Sequence, residues 1–419
     1  MKGKKESEKE NMKIVIVGHV DHGKSTLIGR LFFDTGSLPQ GKIEELKKTC
    51  EAMGRPLEFG FLMDSLEEER DQAITIDTTQ TFFKTGKRNY VIIDAPGHKE
   101  FIKNMVTGAS LAEAAILIVD ANEGIQEQTK RHAYILSLLG MKQVIVVLNK
   151  MDLVEYKQGR FEQVKEEMHK FLDKIKVKPE FTIPISAREG DNIAKRSKSM
   201  PWFKGKTVLE SLDSFQVKKR EASSALRMPV QDVYHIGGKR IVAGRVESGS
   251  ISVGEKILLL PNGTETTVKG IEIFLKPGVK QAFAGQSIGI TTNDPLFIDR
   301  GNVVCSENSK PSVGNEFQAN LFWMAKQPVK LNERLSLRLA TQRIGCVVSS
   351  IRKRYNSSSL ELLGENAEQL NETEVGEVVI KADKPVVFDD FNDIPETGRF
   401  VLEKGLDTVA GGIITACGA

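Results

Sequence analysis

The run Gly18-His19-Val20-Asp21-His22-Gly23-Lys24-Ser25 constrains this chain more than any other feature, because it follows the apolar strand KIVIV and opens a helical segment. A strand, a glycine-rich turn and a helix in that order form a loop that wraps phosphate. The glycines let backbone N–H groups turn inward around the α- and β-phosphates, where the helix N-terminus adds a favourable dipole. On this reading Lys24 reaches the β- and γ-phosphates, Ser25 ligates Mg²⁺, and Gly18 through Thr26 are the candidate phosphate contacts.

The surroundings of that loop set the fold class. From residue 13 to 215 the continuously apolar runs KIVIV, YVIID, AAILIVD and VIVVLNK alternate with helical stretches such as Lys24 to Phe33 and Gln126 to Leu139. Such runs suit strands buried on both faces of a parallel sheet, so this region is expected to be an α/β domain. VKKREASSALRMPV after Phe215 reads as a linker. Beyond it the texture changes to short alternating runs, among them RIVAGRVESGSI and KILLLPNGTETTVKGIEI, punctuated by Gly and Asn-Gly turns. That texture predicts a β-barrel over 228–308 and, after the break at SENSKPSVGN, another over 312–419. Residues 1–12 are expected to be a charged, solvated tail.

Three further motifs fall at strand ends, where open α/β sheets bind ligands. Asp94-Ala95-Pro96-Gly97 follows YVIID; there Asp94 can hold Mg²⁺ through water and the Gly97 N–H can sense a γ-phosphate. Asn149-Lys150-Met151-Asp152 ends VIVVLNK. The Asp152 carboxylate can accept both guanine donors, which adenine does not offer together, while Asn149 and Lys150 brace the loop. Ser186-Ala187, after FTIPI, can offer a backbone N–H to guanine O6. Together these motifs predict GTP and GDP binding. Thr75, between the phosphate loop and Asp94, is the expected switch residue, its hydroxyl joining the metal shell only when the γ-phosphate is present. His98 can orient a water for attack on the γ-phosphorus.

Composition adds exclusions. The chain has 419 residues, 27% of them charged and 40% hydrophobic, which is a globular and not a disordered balance. A net charge of +3 does not itself argue for a nucleic-acid partner. Cys50, Cys305, Cys346 and Cys417 form no C-x-x-C pair, so reduced thiols are expected. No apolar stretch approaches the ~20 residues of a membrane span. A cytoplasmic protein is the expectation, with no membrane partner.

GHVDHGKST, DAPGH and NKMD together resemble the translational-type GTPases of the elongation factor Tu superfamily, whose GTPase domain is followed by two β-barrels. The resemblance implies Gly23, Lys24 and Ser25 at phosphate and metal, Thr75 in switch I, and His98 as the catalytic histidine. It departs at Ala73, where the family usually has glycine, and the added methyl restricts φ. Within the superfamily, FQANLFWMAKQP at 317–328, RLSLRLATQRI, IKADKPVVFDDF and IPETGRFVLEKG resemble the family of sulfate adenylyltransferase subunit 1 (CysN). That resemblance implies the GTPase subunit of a heteromeric ATP sulfurylase, with a CysD-like catalytic subunit as partner and no nucleic acid. Some members of that family continue into an adenylylsulfate kinase domain with a second phosphate loop, which is not expected of this chain. The alternative is a translation elongation factor delivering aminoacyl-tRNA to the ribosome.

Overall fold

The computed structural model describes residues 11–38, 41–52, 59, 81–93, 112–216, 225–274, 276, 278–294 and 297–417. The chain divides after Val217 into two compact units. In the first, a six-stranded sheet is built from β1 (Asn11–Gly18), β2 (Thr81–Lys84), β3 (Asn89–Ile93), β4 (Ala114–Asp120), β5 (Val144–Asn149) and β6 (Phe181–Pro184), in the order β2-β3-β1-β4-β5-β6. β2 runs antiparallel to β3; all other pairs are parallel. The described helices are α1 (Lys24–Asp34), α2 (Lys42–Ala52), α3 (Glu127–Leu138), α4 (Gln158–Lys174) and α5 (Val208–Ser214).

Every residue of β4 and β5 is buried, as their unbroken apolar sequences require of strands covered on both faces. Leu27 and Leu31 of α1 pack with Ile14, Ile16, Ile116 and Ile118 of the central strands in one core. β1 pairs with β3 on one side and β4 on the other, so the chain leaves β1 in one direction and returns across it to β4. The crevice at the C-terminal ends of β1 and β4 is therefore the topological switch point, and the phosphate loop starts there.

The second unit contains two barrels, and the expected class, an α/β phosphate-loop domain followed by two all-β barrels, is what the chain adopts. The first is a closed barrel whose strands run in the order Lys256–Leu260, Thr264–Glu272, Ser287–Thr292, Lys239–Arg245, Arg227–Ile236 and Val303–Ser306. In the other, pairing of Arg334–Leu339 with both Arg399–Lys404 and Gln342–Asn356 closes the sheet into a ring. Leu362–Ala367 adds an extra strand outside that ring, along Gln342–Asn356.

Two stretches read as connections are strand. Arg227 to Val230, the end of the supposed linker, opens a barrel strand in which Met228 and Val230 are fully buried. Ser312 to Asn315, from the supposed break, starts the strand Ser312–Trp323. No helix among the described residues is long and apolar enough to cross a membrane. Cys305 and Cys346 are buried free thiols, and Cys50 is buried as well.

Candidate nucleotide site

The sheet brings β1 and β4 so close that a Cβ on Gly18 would lie 2.3 Å from the Ile118 carbonyl oxygen. The loop then turns through Asp21 at φ 58° and Gly23 at φ 92°, left-handed values that a Cβ disfavours. Gly23 caps α1 without a side-chain hydrogen bond, and the first turn of α1 has no acidic residue. Its amides thus present an uncomplemented positive end, the arrangement that receives an anion. Lys24 Nζ donates to the carbonyls of Gly18 (2.9 Å) and His19 (3.0 Å). Burial holds its pKa below the usual lysine range, with Asp21 opposing that shift. Among the described residues this ammonium is bound by two neutral carbonyls beside the first amides of a helix, a combination that fits phosphate. Ser25 is exposed on this turn; Val20 and Thr26 are half-buried.

On the base side, buried Asn149 ties three loops together. Its Nδ2 donates to the His22 carbonyl at 2.8 Å, and its Oδ1 accepts from the Ala187 N–H at 2.9 Å. The N–H expected to face guanine O6 is thus held by Asn149 in this arrangement. Lys150 follows at φ 60°, and the Met151 N–H bonds the Ile185 carbonyl at 3.1 Å. Asp152 is half-buried in the 3-10 turn Met151–Val154. Ser186 is fully buried, its Oγ accepting the Glu189 N–H at 3.3 Å. Nearby, burial first and the charge of Asp191 second push the Tyr156 hydroxyl up to about 12.

Sequence reasoning missed the loop after β4. Asp120 is 1% exposed, and its Oδ2 lies 2.8 Å from Lys150 Nζ. The Asp120 N–H donates to His22 Nδ1 at 3.2 Å, while His22 Nε2 lies 3.4 Å from Glu123 Oε2. His22 is fully buried, and that burial lowers its pKa below the usual histidine range. His22 Nδ1 also lies 3.5 Å from the Ile118 carbonyl oxygen. The signal that could have found this loop is the acid ending AAILIVD at the C-terminal edge of a buried strand. Thr75, Asp94, Gly97 and His98, like Ala73, lie outside the described residues.

A phosphate loop at the switch point, joined through Asn149 to a base loop, is the arrangement of a nucleotide-binding GTPase. Residues 9–219 match the elongation factor Tu GTP binding domain, 239–305 elongation factor Tu domain 2, and 316–415 the GTP-eEF1A C-terminal domain-like family. The chain belongs to the elongation factor Tu family of GTPases. Its full-length likeness is to proteins named Elongation factor 1-alpha. That of Archaeoglobus fulgidus is 37% identical over 97% of this chain and 98% of its own length. Those of Pyrococcus furiosus and Picrophilus torridus are 38% and 39% identical, each over 97% of this chain and 98% of the relative.

These matches overturn the assignment to the sulfate adenylyltransferase subunit 1 (CysN) family, and with it the sulfurylase role, sulfate assimilation, the CysD-like partner and the exclusion of nucleic acid. The physical reason lies in the residues that suggested it. Trp323 is 2% exposed, packs in the core of its barrel and donates its indole N–H to the Gln327 carbonyl at 2.8 Å. A side chain chosen by barrel packing carries little information about a partner.

Proposed function

We propose that this chain is a translation elongation factor of the elongation factor 1-alpha type, which binds GTP with Mg²⁺ and in that form delivers aminoacyl-tRNA to the ribosome. The observation that carries this reading is the 37–39% identity to proteins of that name across 97% of the chain. In the proposed layout the GTPase domain spans 13–215 and the barrels 228–308 and 312–419, in a cytoplasmic protein.

Lys24, now on the Gly18 and His19 carbonyls, exchanges them for phosphate oxygens, a charge-assisted contact that neutral carbonyls cannot match. The α1 amides and the loop from Gly18 to Thr26 bind the remaining oxygens. Ser25, Thr75 and, through water, Asp94 hold Mg²⁺, which supplies charge neutralisation at the β- and γ-phosphates when bound. Gly97 and Thr75 report the γ-phosphate, and His98 orients the attacking water. Asp152 accepts from guanine while Asn149, Lys150, Ser186 and Ala187 shape the pocket.

The test is capture of radiolabelled aminoacyl-tRNA by the purified chain loaded with a non-hydrolysable GTP analogue or with GDP. Protection of the ester bond in the GTP-analogue form alone is the expected result. Equal protection in both forms, or none, would sink the delivery role while leaving nucleotide binding to stand on its own.

A further inference from the structure

We infer that Asp120 is a positioning residue for the base side of the nucleotide site, acting through Lys150; this rests on the reading of Asp152 as the guanine acceptor. Asp120 is the last residue of β4, and its carboxylate is divided between two tasks. Oδ1 accepts the N–H groups of Asn122 (2.7 Å) and Glu123 (3.3 Å), which shapes its own turn. Oδ2 reaches across to the loop of the neighbouring strand, 2.8 Å from Lys150 Nζ. Asp120 lies opposite Asn149 in the β4–β5 register, so the pair spans adjacent strand ends.

What the pair fixes is the backbone of Lys150. A residue with a Cβ at φ 60° sits in a disfavoured region and stays there only when its surroundings hold it. Here one hold is the Met151 N–H bond to Ile185; the other is the buried carboxylate under the Lys150 ammonium. The left-handed turn at Lys150 sets where the next residues go. Met151 enters the core, fully buried, and Asp152 is left half-buried at the mouth of the 3-10 turn. Losing the charge beneath Lys150 loosens that turn and with it the aim of the Asp152 carboxylate. Lys24 makes its contacts with Gly18 and His19, and the Asp120 group that donates to His22 Nδ1 is its backbone N–H, so a change of the Asp120 side chain leaves both in place.

Asp120→Asn separates the two tasks. It can keep the Oδ1 acceptor for Asn122 and Glu123, but it sets an amide N–H against the Lys150 ammonium. The Kd for GDP and for a non-hydrolysable GTP analogue should both rise about tenfold, by the same factor, while kcat at saturating GTP stays at the wild-type value. In a Lys150→Ala background the same substitution should change neither Kd by more than about twofold. An unchanged Kd in Asp120→Asn, a loss confined to the GTP analogue, or a full tenfold loss persisting in the Lys150→Ala background would each overturn the inference. Should Asp120→Asn fail to fold, Asp120→Ser carries the test: a parallel tenfold loss for both nucleotides that disappears in the Lys150→Ala background supports the inference, and an unchanged Kd or a loss that persists in that background overturns it. Wild-type GDP binding is measured first, so that its absence marks failure of the guanine reading and not of the Asp120–Lys150 link.

Discussion

The Asn149 side-chain amide donates to the backbone carbonyl of His22 across 2.8 Å, so the end of β5 and the phosphate loop are joined by one buried group. The same side chain accepts from Ala187 on the loop after β6. Asn149→Ala leaves a buried carbonyl and a buried N–H unpaired, each costing ~1–3 kcal/mol. We expect at least a tenfold weaker Kd for GDP and a lower unfolding midpoint. A variant that binds GDP as the wild type does would show that the three loops hold their places without it.

Gly23 approaches the same side chain from the other direction. A Cβ on it would lie 2.4 Å from Asn149 Nδ2, and its φ of 92° is left-handed, so Gly23→Ala meets both a clash and backbone strain. Gly86 has nothing within 4 Å of its Cβ position and serves as the control. Nucleotide titration should show Gly23→Ala losing most of its affinity and Gly86→Ala keeping it. Parallel behaviour of the two variants would contradict the close packing of phosphate loop on base loop.

Base choice tests Asp152 directly. Asp152→Asn replaces an acceptor with a donor facing the guanine N–H groups, and a mispaired polar group in a buried site can cost ~10⁴-fold in discrimination. The variant should lose GTP and gain xanthosine triphosphate, read by competition against a fluorescent nucleotide. Full GTP affinity with no gain of xanthosine triphosphate binding would place the base elsewhere.

What could be read from the chain alone follows from how local each signal is. β4 and β5 were visible because seven and six consecutive buried residues leave no polar interruption. β2, only four residues long at the sheet edge, carries no such run. RMPV reads as linker because its proline and polar neighbours dominate the local composition, whereas Met228 and Val230 are buried by a barrel formed with residues far along the chain. The Asp120–Lys150 pair was hidden for the same reason: it depends on β4 and β5 being neighbours in register. The phosphate loop and the Asn149 to Asp152 turn were legible because each is a contiguous run whose chemistry needs those residues side by side.

The buried histidine within the phosphate loop gives a pH dependence with a definite sign. Burial lowers the pKa of His22 in the folded chain, so below the unfolded value of about 6.5 the unfolded state binds the proton more readily. Stability should therefore be fully present above pH 6.5 and fall as pH drops through 6.5 towards the folded pKa. His169, also lowered by its burial, acts in the same direction. Urea midpoints for His22→Gln between pH 7.5 and 5.5 should fall less steeply than those of the wild type, without becoming flat. Identical slopes would show that His22 takes up its proton alike in the folded and unfolded chain.

The two barrels are tied by a charge pair whose loss should be felt throughout the second unit. Arg227, at the start of a strand of the first barrel, donates from Nε (2.8 Å) and Nη2 (2.7 Å) to the two oxygens of Asp389, which follows the strand Glu374–Phe388 of the other. Its Nη1 donates to the carbonyls of Leu226 and Ser309, and the Thr397 hydroxyl donates to Asp389. With Arg227 2% exposed, removing one partner strands a charge that water cannot reach. Arg227→Met and Asp389→Leu should each destabilise the chain by ~3–5 kcal/mol, because the remaining buried ion loses its counter-charge. The double variant should be less destabilised than the sum of the singles, since it removes both ions at once. Chemical denaturation of the three variants checks this. Additive losses would show that the guanidinium and carboxylate act through separate contacts, and that barrel-to-barrel attachment rests on the apolar cluster of Leu258, Leu260, Val303, Cys305 and Val387 instead.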